Sequence, residues 1–65
     1  MYKLDEWVLY DQFPNSLSER LKRPKKAVIL EVLGEKQYII WVDDPSIEVE
    51  RRRRKVNEEN LKPLN

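Results

Sequence analysis

Two short apolar runs and the segment between them constrain this chain more than any other feature. Lys26 to Leu33 carries Ala-Val-Ile-Leu-Glu-Val-Leu, and Gln37 to Val42 carries Tyr-Ile-Ile-Trp-Val. Between them lies Gly34-Glu35-Lys36, with the only glycine of the sequence. Runs of this length, rich in β-branched and aromatic residues and joined by a tight turn, predict a β-hairpin. Neither run approaches the roughly 20 apolar residues that a membrane-spanning helix takes.

The flanking segments extend the β reading. Glu6-Trp7-Val8-Leu9-Tyr10 predicts a first strand. Asp11 to Lys25 is polar and broken by Pro14 and Pro24, so it reads as a long loop. Within it Ser16-Leu17-Ser18-Glu19 has capping-box spacing and predicts one helical turn over Leu17 to Lys22, ended by Pro24. Asp43-Asp44-Pro45-Ser46 has turn chemistry. Ile47 to Val56 alternates in part and predicts a fourth strand, or a loop leading into one. Asn57-Glu58-Glu59-Asn60 suits a single 3₁₀ turn. Leu61-Lys62-Pro63-Leu64 predicts a short edge strand, where proline is tolerated. The expectation is one all-β domain over residues 1–65, with residues 11–25 as a long loop within it.

A chain of 65 residues buries only about 60% of the surface it exposes when unfolded. Domains this small often add disulfides or a structural metal. Here there is neither Cys nor His, so thiolate and imidazole metal sites are excluded. We expect no cofactor. No basic segment followed by an apolar one opens the chain, and the absence of Cys fits a reducing compartment. A cytoplasmic protein that does not engage a membrane is the expectation.

Alternation sets the expected core: Val8, Ala27, Ile29, Val32, Ile40, Val42, Val56 and Leu61. Val32 is out of phase with Ile29, so this set demands a bulge or strong bend in the second strand.

Three stretches resemble SH3-like small barrels of the Tudor and KOW kind. They are Lys26-Ala27-Val28-Ile29-Leu30-Glu31-Val32, Tyr38-Ile39-Ile40-Trp41-Val42-Asp43-Asp44, and Lys55-Val56-Asn57-Glu58-Glu59-Asn60-Leu61. The resemblance implies a five-stranded barrel with a long first loop and a 3₁₀ turn before the last strand. Such families usually place Gly before the first strand, where this chain has Asp5 and Glu6. Where Tudor domains draw pocket aromatics from the loop after the third strand, this chain has Asp43-Asp44-Pro45-Ser46.

Catalysis finds little to work with. Ser16, Ser18 and Ser46 all stand in turn-like contexts that capping explains, and no His or Cys supplies a base. Asp43 and Asp44, as neighbours on an extended chain, point to opposite sides and make a poor carboxylate pair. The chain is therefore expected not to be an enzyme.

Charge gives the binding candidates. Charged residues make up 38% of the chain, yet the net charge is +1. The cations are gathered: Arg20, Lys22, Arg23, Lys25 and Lys26 in one cluster, and Arg51, Arg52, Arg53, Arg54 and Lys55 in another. Arginine forks suit phosphate oxygens, and alternation on a strand would place about half of the second run on one side. Pairing with Glu48, Glu50, Glu58 or Glu59 would instead neutralise that run. If Val8, Tyr38, Ile40 and Val42 fill the core, Trp7 and Trp41 lie outside it and offer a platform for bases or a protein partner. A barrel curled tightly enough would bury both in part, and that arrangement is the one a domain of this size favours.

Two functions follow. One is a nucleic-acid-binding module, with phosphate contacts from the loop cations and the arginine run, and stacking on Trp7, Tyr10 or Trp41. The other is a protein-interaction module, an accessory subunit or a small phage-type inhibitor docking on a larger complex. Cations gathered on a face free of acids would favour the first; interleaved acids would favour the second.

Overall fold

The computed structural model describes residues 1–15, 17–18 and 23–64. The elements, in chain order, are β1 (Trp7–Tyr10), β2 (Lys25–Val32), β3 (Gln37–Val42), the 3₁₀ turn η1 (Val49–Arg51), β4 (Arg53–Asn57), the 3₁₀ turn η2 (Glu58–Asn60) and β5 (Leu61–Pro63). Among the described residues there is no α-helix, and no helix long and apolar enough to cross a membrane. The predicted helical turn over Leu17 to Lys22 lies mostly outside the described residues, as do Arg20 and Lys22; Leu17 and Ser18 are not helical.

The strands form one antiparallel sheet in the order β4-β3-β2-β1-β5. The predicted hairpin is its centre: β2 and β3 pair from Ala27 opposite Val42 to Val32 opposite Tyr38. Strands β4 and β5 are the two edges and share no ladder, so the sheet is open rather than closed by hydrogen bonds. It is nonetheless strongly bent. In a flat sheet β4 and β5 would be about 19 Å apart, four inter-strand steps of roughly 4.8 Å. The chain from Asn57 to Leu61 spans at most about 14 Å, and η2, itself more compact, makes that connection.

The concave side holds the core: Val8, Tyr10, Ala27, Ile29, Tyr38, Ile40, Val42, Val56 and Leu61, with Tyr2 and Ile47 packed against them. Every residue expected in the core is there except Val32, which is 42% exposed. The bulge that Val32 required does exist, as a register shift between Ile29 and Glu31. It brings Val32 opposite the buried Tyr38, on the concave side. Val32 ends its strand, however, and lies beyond the packed centre. Tyr38 is fully buried because its hydroxyl is satisfied: it donates to Glu58 Oε2 at 2.9 Å and accepts from the Tyr2 N–H at 3.1 Å.

Of the two expectations for Ile47 to Val56, the loop leading into a strand is the one found, with β4 beginning only at Arg53. Ile47 and Val49 do not share a strand face: Ile47 packs on the core, whereas Val49 is 58% exposed in η1. Local bonds take up the backbone there, with Arg51 N–H to Glu48 O at 2.8 Å and Arg52 N–H to Val49 O at 3.1 Å. Pairing with β3 resumes as the Val42 N–H donates to Arg52 O at 2.8 Å. Arg51 and Arg52 therefore precede the strand, and only Arg53, Arg54 and Lys55 of the basic run alternate within it. Before β1, Asp5 takes a φ of 65°, the left-handed conformation that favours glycine and that Asp tolerates better than most residues.

Candidate nucleic-acid interface

Alternation within β4 sends its cations to two different surfaces. The convex side of the sheet carries the residues out of phase with the core. A continuous row crosses it: Trp7 of β1 opposite Val28 of β2, Val28 opposite Trp41 of β3, and Trp41 opposite Arg53 of β4. Trp7 is 45% exposed, and Val28 and Trp41 are half-buried. One strand separates the two tryptophans, so their backbones stand about 10 Å apart. The curl thus covers Trp41 partly and leaves Trp7 open, between the two arrangements that the sequence allows.

The rows on either side bring cations. Lys55 lies opposite Ile39, and Lys26 and Lys62 lie opposite Leu9 on its two flanks. All three lysines and Arg53 are exposed. The register shift sets Glu31 against Ile39 as well, so one acid stands among these strand positions. Asp43, just past the end of β3, borders Lys26 through its N–H to Lys26 O bond of 2.8 Å. Cations predominate on this side, and they flank an apolar aromatic strip.

Arg54 points the other way. Its neighbours across the sheet are Ile40 and, at the open end of the concave side, Tyr10 and Lys25, which are themselves paired. The Arg54 guanidinium sits 5.8 Å from the centre of the Tyr10 ring, its Nε donates to Arg51 O at 3.0 Å, and its Nη1 reaches the Tyr10 hydroxyl at 3.5 Å. Gln12, Phe13, Arg23, Lys25 and Ile47 join Tyr10 and Arg54 around a groove of about 300 Å³, with no acid lining it among the described residues. Arg52 is half-buried and structural: its Nε donates to Ile47 O at 2.9 Å. Arg51 is exposed at the end of η1.

Among the described residues, pairing does not neutralise the run: the ion pairs join the Met1 amino group to Glu58 and Lys25 to Asp44, and neither involves residues 51–55. The Lys25 ammonium bonded to Asp44, together with the Ser46 N–H and hydroxyl on the other carboxylate oxygen, holds that carboxyl down at about 2. Asp44 thus serves the turn and anchors the start of β2. Among the described residues no group of acids is arranged to hold a metal ion.

Of the residues singled out from sequence, the fold gathers Trp7, Lys26, Trp41, Arg53 and Lys55 on one surface and Tyr10, Arg23, Lys25 and Arg54 on another. Sequence reasoning missed Lys62 on the convex side, for which its alternation with Leu61 and Pro63 was the available signal; Phe13 belonged to the aromatic set the sequence offers, but only the fold places it in the groove. Comparison with family models, curated proteins and solved structures finds no match for this chain.

Proposed function

We propose that this chain is a non-catalytic nucleic-acid-binding module, working in the cytoplasm, that holds a single strand on the convex side of its sheet. The observation that carries this reading is the row Trp7–Val28–Trp41–Arg53. Exposed aromatic rings on a sheet offer stacking surface to any base, and flanking cations follow the phosphate backbone. Lys26, Arg53, Lys55 and Lys62 border that strip with a single acid, Glu31, among them in the strands. The spacing of about 10 Å between the tryptophan backbones suits bases from neighbouring or alternate nucleotides. The strong bend and the 3₁₀ turn leading into β5 support an SH3-like small-barrel architecture, with β4 and β5 approaching without pairing.

The test is retention of single-stranded DNA or RNA at low salt. Binding should weaken steeply with added salt, because each neutralised phosphate releases counterion. Trp7→Ala should weaken it by about 1–3 kcal/mol, with folding intact. Arg53→Glu combined with Lys55→Glu should abolish it. Absence of any salt-dependent retention by the wild-type chain would refute the proposal. The second reading would then lead: the same strip of Trp7, Val28 and Trp41 as a docking surface for a protein, favoured by its apolar character.

A further inference from the structure

The groove at the open end of the concave side lies apart from the convex strip and uses different residues. Its lining joins the Tyr10 ring, Phe13 and Ile47 with one uncharged polar side chain, Gln12. Its rim is basic, with Arg23, Lys25 and Arg54. These cations are not equivalent. Lys25 is taken by Asp44. Arg54 is positioned by backbone and phenol oxygens and stacked on Tyr10, without a carboxylate partner. Arg23 is exposed and, among the described residues, has no carboxylate within ion-pair distance.

Two guanidinium groups without a carboxylate partner among the described residues, at the edge of an aromatic hollow, make a specific demand on a ligand. Each fork can give two parallel hydrogen bonds to an anion with several oxygens. The hollow rewards a flat or apolar body. Its volume of about 300 Å³ lies at the lower limit of small-ligand sites, which limits the occupant to a group of about mononucleotide size.

We infer that this groove binds a monoester phosphate carried on a planar group, with the phosphate between Arg23 and Arg54 and the planar body against Tyr10 and Phe13. Two sources share that chemistry, a free nucleoside monophosphate and the phosphorylated end of a strand. The inference stands independently of the convex strip, because no residue belongs to both.

The experiment is an NMR titration of the full chain with a nucleoside monophosphate and with the matching nucleoside. The monophosphate should shift Tyr10 and Phe13 saturably and bind at least tenfold more tightly than the nucleoside. Arg54→Gln should weaken it at least tenfold. Arg23→Gln, at an exposed position where folding is not at stake, should weaken it severalfold. Trp7→Ala should leave it unchanged even if strand binding is lost. A terminally phosphorylated oligonucleotide that shifts the same residues, where its dephosphorylated counterpart does not, would extend the site to strand ends. Equal affinity for nucleoside and monophosphate, no saturable shift at Tyr10 and Phe13, or full binding by both arginine variants would overturn the inference.

Discussion

Tyr38 donates its hydroxyl to Glu58 Oε2 at 2.9 Å, tying the buried middle of the molecule to the turn that joins the two sheet edges. The same oxygen accepts the Tyr2 N–H, and the Tyr2 and Tyr38 rings meet edge to face at 5.8 Å. Tyr38→Phe keeps the ring but takes the hydroxyl from the Tyr2 N–H and from Glu58, which keeps the Met1 amino group at 3.7 Å. It should cost about 1–3 kcal/mol in urea unfolding. The Tyr2 N–H favours the phenolate of Tyr38, but burial and the Glu58 carboxylate outweigh it, so its pKa is raised above the ordinary 10.0. A tyrosine with a raised folded pKa stabilises the fold below its unfolded pKa, and that contribution is lost as pH rises through the folded value. Wild type should therefore lose stability above about pH 10, and Tyr38→Phe should lose less there.

The bulge in β2 can be tested by contrast. Ile40 is fully buried and Val32 is 42% exposed, although both are on the concave side. Ile40→Ala should cost about 2–5 kcal/mol, enough to bring so small a domain close to unfolding. Val32→Ala should cost no more than about 0.5 kcal/mol. Equal losses in chemical unfolding would mean that Val32 packs into the core in solution.

Asp44 sets an acid limit. Its carboxyl is held at about 2, below the ordinary 3.8, by Lys25 first and then by the Ser46 N–H and hydroxyl. A depressed carboxyl contributes stability above its unfolded pKa and loses it as pH falls through the folded value. The difference in stability between wild type and Asp44→Asn should be constant above about pH 5 and shrink between 3.8 and about 2. A difference that stays flat down to pH 2 would show that Lys25 and Asp44 do not pair in solution.

Asp5 gives a backbone test. With φ at 65°, a side chain without a polar atom close to the backbone is disfavoured, whereas glycine is not. Asp5→Ala should cost about 1 kcal/mol. Asp5→Gly should be close to neutral or stabilising in thermal melts.

Arg52 separates structure from binding within the basic run. Its Nε caps Ile47 O at 2.9 Å, so Arg52→Ala should lower stability by about 1 kcal/mol. Retention of nucleic acid by the folded fraction should not change. Arg53→Ala should show the opposite pattern, with stability kept and binding reduced.

The sequence by itself determined the strands and their phase. The apolar alternation of Val8, Ala27, Ile29, Ile40, Val42 and Val56 marks one buried side, because in a strand period two leaves each residue a single choice of face. The hairpin, the 3₁₀ turn before Leu61 and the edge position of Pro63 follow from the same local rules. The length of β4 and the fate of the arginines do not. Which cations share a surface depends on pairing register, and register is a relation between strands that are distant in sequence: Trp41 meets Arg53, and Tyr10 meets Lys25, only after the sheet is assembled. Tertiary structure alone decided that Arg53 and Lys55 flank the tryptophans, that Arg54 turns into the groove with Arg23, and that Arg52 serves the backbone. One run of like charges is divided among three tasks because the chain enters its strand only at Arg53, and each side chain after that point must alternate.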